Sequence, residues 1–186
     1  MASTGRKAEH DKNLGSLHFD PEVENRTVSA VTLYHSNLLQ GFDQVVGTKP
    51  DPILRIWVYE SPLGSWQISA KFLFHSFIVI ETERWFYSIE TSEKNISMER
   101  SKQKQLLIEK CKGEKRSTTL FSNGPKCARN SRGKKTIRDV LVYLHDRDRL
   151  NLPYNVMVEN CKDLSKWIFD EFNDERQTYS LFFTSY

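Results

Sequence analysis

The chain has 186 residues, 38% hydrophobic and 12% aromatic, enough for one domain with a sizeable core and too few for an obvious second. Its 27 Lys and Arg against 24 Asp and Glu leave a net charge of +3, which excludes a general polyanion binder. The three cysteines, Cys111, Cys127 and Cys161, have no framework or CxxC spacing, which excludes a disulfide scaffold and a zinc knuckle.

Met1 to Asp20 lacks periodicity and reads as a disordered tail, with residues 21–186 forming a single domain. The stretch Met1 to Asn13 has no apolar signal core, and no run approaches the roughly 18 apolar residues of a membrane span, so a cytoplasmic protein is expected. Without a secretory signal, the sequons at Asn25-Arg26-Thr27 and Asn95-Ile96-Ser97 are chance matches. Val28 to Gln44 is amphipathic, either a short helix ended near Gly41 or irregular edge structure. After the breaker cluster Gly47 to Pro52, Leu54 to Tyr59 alternates as a half-buried strand does, and Ser61 to Ser65 is a turn.

Ala70 to Ile80 is the densest apolar run and reads as a central strand, interrupted by His75 and Ser76. Trp85 to Glu90 continues as its hairpin partner. Ile96 to Arg100 and Gln105 to Lys110 read as further strands, giving an antiparallel sheet of about four to six strands. Lys110 to Lys135 then holds nine basic side chains, among them Lys126, Arg129, Arg132, Lys134 and Lys135, against a lone Glu114. Its Gly, Ser, Asn and Pro make it a long inserted basic loop.

Thr136 caps a helix, with Asp139 as a capping-box variant and Ile137, Val140, Leu141 and Leu144 as its apolar face. Behind Asn160 and Cys161, the residues Leu164, Trp167, Ile168, Phe169 and Phe172 recur at helical spacing. Tyr179 to Phe183 reads as a last short strand. Strands followed by helices imply an α+β domain with helices packed on one sheet face.

A thiol at the start of that last helix sits at the positive end of the helix dipole, among backbone N–H groups that lack intrahelical partners. The common fate of such a cysteine is a small apolar residue under its helix. What shifts the reading for Cys161 is His75, an imidazole in a buried strand, where it is expensive unless satisfied or used. If residues 82 and 83 form a two-residue turn, His75 faces Glu90 across the ladder and the carboxylate orients the ring. A change of one residue in loop length moves the partner to Ile89 or Thr91, and another turn brings Tyr87 or Ser88 near. The plainer alternative is a core histidine bonded to backbone, with Glu90 solvated. His10, His18, His35 and His145 read as surface residues rather than ligands, and no metal or cofactor spacing is present.

A histidine on a core strand, in Phe74-His75-Ser76-Phe77-Ile78-Val79-Ile80, followed far downstream by Asn160-Cys161 opening an apolar helix, resembles the circularly permuted papain fold. Lecithin:retinol acyltransferase-like enzymes, PPPDE-type peptidases and the related NlpC-type peptidases belong to that superfamily. The resemblance implies Cys161 as nucleophile, His75 as general base, and an oxyanion held at the helix start by Asn160 and Cys161. It departs from the acyltransferase-like members, where a second histidine follows about a dozen residues after the first and the cysteine motif is Asn-Cys-Glu-His-Phe. Here Tyr87 stands near the first position, and the motif reads Asn160-Cys161-Lys162-Asp163-Leu164.

The expected activity is a thiol peptidase, amidase or acyltransferase working on a protein or small acyl substrate through a Cys161 thioester. The alternative is a catalytically silent module whose basic loop holds nucleic acid or an acidic partner. A lipid-modifying acyltransferase is a third reading.

Overall fold

The computed structural model describes residues 15–62, 74–91, 95–111, 124–151 and 160–174. In chain order these contain β1 (Ser16–Asp20), β2 (Val31–Tyr34), a 3-10 turn at His35–Asn37, α1 (Leu38–Val46), β3 (Ile53–Pro62), β4 (Phe74–Thr82) and β5 (Phe86–Thr91). They continue with β6 (Ile96–Ser101), α2 (Lys104–Lys110), β7 (Lys126–Arg132), α3 (Ile137–Asp146), a 3-10 turn at Arg149–Asn151 and α4 (Asn160–Phe172). Together they form an α+β arrangement, with four helices and one seven-stranded sheet of order β2-β1-β6-β5-β4-β3-β7. The sheet is antiparallel except for β1 beside β6.

Period-two alternation divides the sheet into two apolar faces. One carries Leu17, Phe19, Ile56, Val58, Ile78, Ile80, Tyr87, Ile89, Ile96 and Met98, and is covered by α1, α3 and α4 through Phe42, Leu141, Leu164, Ile168 and Phe172. The other is smaller, with Trp57, Tyr59, Phe77 and Val79 under Ile108 and Cys111. Cap chemistry at α3 matches the sequence reading: Asp139 N–H donates to Thr136 Oγ1 at 3.3 Å, and Thr136 N–H donates to Asp139 Oδ2 at 2.8 Å.

Five sequence expectations are corrected. Ser16–Asp20 is a strand inside the sheet and not tail, because Leu17 and Phe19 alternate into the core at 0% exposure; residues 1–14 lie outside the described residues. Gln105 to Lys110 is helical: Leu107, Ile108 and Cys111 fall at helical spacing among good helix formers, and this helix covers the second face, so the helices do not share one side. The sheet nonetheless has seven strands rather than four to six, because β1, β2 and β7 join it. Gly41 does not end its helix; it gives room to Leu33, whose Cδ2 would lie 2.7 Å from an added Cβ, and α1 stops at Gly47 with φ +82°. Finally, residues 126–132 of the expected basic loop are β7, the edge strand beside β3. The last strand expected at Tyr179 to Phe183 and the turn beyond Pro62 lie outside the described residues. Among the described residues, no helix is long and apolar enough to cross a membrane.

Candidate active site

β4 supplies His75 and Ser76 on opposite faces, His75 sharing its side with Phe77, whose ring lies 6.0 Å away. The β4–β5 hairpin turns at Glu83-Arg84, where Thr82 N–H donates to Trp85 O at 2.8 Å and Trp85 N–H to Thr82 Oγ1 at 3.0 Å. This is one residue later than the turn at 82 and 83 expected from sequence, so the ladder pairs Ile80 with Tyr87 and Ile78 with Ile89. Glu90 is therefore not directly opposite His75. It keeps the right parity and meets the histidine diagonally, which long side chains can span.

The β4–β5 pairing ends at Ile78 and Ile89. Beyond that point β4 stays with β3, pairing His75 with Ser61, while β5 stays with β6, pairing Glu90 with Ser97. The two strands part at the place that holds the polar residues. α4 packs on the Ile78 and Ile80 face through Leu164, Ile168 and Phe172, and its first turn brings Cys161 to this parting.

There the three side chains converge. His75 Nε2 lies 2.6 Å from Glu90 Oε2, a short charge-assisted contact between side chains 15% and 24% exposed. Cys161 hydrogen-bonds to the same imidazole. Ser97 Oγ approaches the second carboxylate oxygen, Glu90 Oε1, at 3.5 Å.

The electrostatics follow from these contacts. Burial alone would lower the His75 pKa, but the hydrogen bonds and charges of Cys161 and Glu90 outweigh it and push the ring up to about 9. Burial alone would raise the Cys161 thiol. The hydrogen bond from His75, the backbone N–H of Ser76, the imidazolium charge and the backbone N–H of Lys162 together bring it below its ordinary value. A thiolate–imidazolium pair is the form this arrangement favours.

Cys161, His75 and Glu90 are thus brought together, and Asn160 begins α4 beside them. The basic residues are not: Arg129 Nη2 pairs with Asp170 at 3.0 Å and Lys135 Nζ with Glu171 at 2.5 Å, both on the last turns of α4. The same two cations stand over Phe169 and Phe172, while Lys126, Arg132 and Lys134 are exposed. Two of the five therefore fasten the helix that carries the thiol. The sequence reading missed the Ser76 N–H, which points at the sulfur from the strand, and the Ser97 hydroxyl behind Glu90. Only the position of Ser76 beside His75 hinted at the first. No family model, curated protein or solved structure matches the chain.

Proposed function

We propose that the protein is a cysteine-dependent hydrolase or acyltransferase that cleaves an amide, ester or peptide bond through a Cys161 thioester, on a fold related to the circularly permuted papain arrangement. The observation that carries this reading is one imidazole bonded both to a thiol at a helix start and to a carboxylate 2.6 Å away. The order of histidine strand before cysteine helix supports the permuted relationship.

The chemistry runs in two halves. Cys161 thiolate attacks the substrate carbonyl carbon, and the negative charge that develops on oxygen is met by the backbone N–H groups of the site, Ser76 and Lys162 being the two aimed at the sulfur. His75 imidazolium gives its proton to the departing amine or alkoxide, which leaves as the C–N or C–O bond breaks and the thioester forms. Neutral His75 then takes a proton from water or an acceptor nucleophile. That nucleophile adds to the thioester carbonyl and expels the thiolate, restoring the starting pair. Glu90 holds the ring orientation and stabilises the imidazolium through its 2.6 Å contact.

The binding-module alternative has less support, because Arg129 and Lys135 are engaged by α4. An electrophilic thiol probe, read by peptide mass spectrometry, separates the readings. Cys161 should be labelled fastest near neutral pH, with exposed Cys127 as the internal comparison and buried Cys111 unreactive. His75→Ala should slow Cys161 labelling by about tenfold for each unit of thiol pKa depression it removes. Equal Cys161 labelling in folded His75→Ala would refute a working pair.

A further inference from the structure

The face of the sheet that carries His75 and Glu90 continues into a charged row that the reaction steps above do not use. Register places Glu90 against Ser97 and Ser88 against Glu99 across β5 and β6, so Glu90 and Glu99 share a face as diagonal neighbours. The parallel pairing of β1 then sets Asp20 beside Glu99 and His18 beside Ser97. Three carboxylates therefore stand on three adjacent strands, and Lys110, the last residue of α2, meets two of them. Its Nζ lies 3.0 Å from Glu99 Oε1 and 3.1 Å from Asp20 Oδ2. Glu99 Oε2 is buried without a hydrogen-bond partner among the described residues. The groups facing this cluster are His75 from β4, Lys110 and the buried thiol of Cys111 from α2, and His18 from β1.

We propose that Lys110 is a positioning residue of the Cys161–His75–Glu90 site, acting through Glu99: its ammonium neutralises the carboxylates behind Glu90, so that Glu90 faces His75, and His75 faces the Cys161 thiolate, without uncompensated like charge behind them. This inference rests on the cysteine-hydrolase reading of the site. Charge arithmetic supports it. With Lys110 gone, Glu90, Glu99 and Asp20 are like charges in a half-buried row with no cation from α2 to offset them. The uncompensated negative charge of the row also reaches the site, where it disfavours a further negative charge on the Cys161 sulfur, so the thiolate forms only at higher pH. Burial pushes the Glu99 carboxyl up, Lys110 pulls it back, and the charges of Glu90 and Asp20 push it further, which is the coupling the geometry implies.

The test is the acid limb of Cys161 alkylation by iodoacetamide, followed against pH in the full chain. Lys110→Met should move that limb up by about one pH unit. Lys110→Arg should leave it in place, and Lys110→Met combined with Glu99→Gln should bring it back, because the unneutralised charge is gone. A merely structural role for Lys110 predicts no such restoration. A folded Lys110→Met with the wild-type limb, or a double variant that keeps the shift, overturns the proposal. Should Lys110→Met fail to fold, Glu99→Gln alone is read: a limb below the wild-type position supports the proposal and an unmoved one overturns it. His75→Ala, run in parallel, keeps the two readings apart. A limb indifferent to His75 defeats the hydrolase reading itself, and one that needs His75 but ignores Lys110 defeats this inference alone.

Discussion

His75 is raised by two partners of different kinds. Cys161 contributes a hydrogen bond and, once ionised, a charge; Glu90 contributes both as well, through the 2.6 Å contact of its Oε2 with His75 Nε2. With the ring held up to about 9 against an ordinary 6.5, it is mostly imidazolium at neutral pH and loses its proton as pH rises through that upper value. An NMR titration of the His75 ring should therefore show a midpoint near 9, and Glu90→Gln should lower it by about one unit by removing the carboxylate charge. A midpoint that stays in place in the variant would mean that Glu90 is not what holds the proton. Which side chains share a face was legible from alternation alone, since His75 and Glu90 have the parity that one hairpin requires. Their register was not. It depends on Asp51, buried at 3% exposure far up the chain, which accepts from Thr82 Oγ1 at 3.0 Å and from Arg84 Nε at 3.4 Å and so anchors the turn at Glu83-Arg84. No local pattern announces a contact of that range.

Whole elements were legible where their signals are local. α3 has its cap and box within four residues, and the apolar spacing of α4 survives into the core as Leu164, Ile168, Phe169 and Phe172. α2 was misread because its short apolar run fits a strand as well as a single helical turn, and the decision rests with the face it covers. How α4 is seated was not legible either, since its fastenings come from the basic segment. Lys134 N–H donates to Phe172 O at 2.9 Å, Asp174 N–H to Arg132 O at 2.9 Å, and Gly133 pairs with Asn173 while donating to Leu54 O at 3.0 Å. Gly133 allows this close approach: an added Cβ would lie 2.1 Å from Ile53 Cγ2 and 3.0 Å from Ile53 O, with backbone unable to yield. Gly133→Ala should cost about 1–3 kcal/mol of unfolding free energy in denaturant titration, through overpacking at this junction. Loss of stability without loss of Cys161 labelling in the folded fraction is the expected pattern, because the clash lies at the far end of α4 from the thiol.

At the scale of the whole molecule, the site depends on a strand that looked like tail. Ser16 to Asp20 is a five-residue alternation flanked by polar sequence, too short to stand out by composition, and its parallel partner β6 is some eighty residues away. Yet β1 lies between β2 and β6, with Leu17 and Phe19 at 0% exposure and the Phe19 ring 5.4 Å from that of Phe42 on α1. Its loss would leave β6 as an edge, and β6 carries Ser97 and Glu99 behind Glu90. Phe19→Ala should therefore cost about 3–5 kcal/mol in denaturant unfolding, the range for emptying a buried aromatic position. Hydrogen exchange of the β6 amides should rise with it, since β1 is the neighbour that shields their outer side. A segment that merely trails from the domain would tolerate the change within about 0.5 kcal/mol. The choice between these outcomes decides whether the N-terminal strand belongs to the framework that positions Glu90, and the placement of Phe19 in the main core argues for the larger cost.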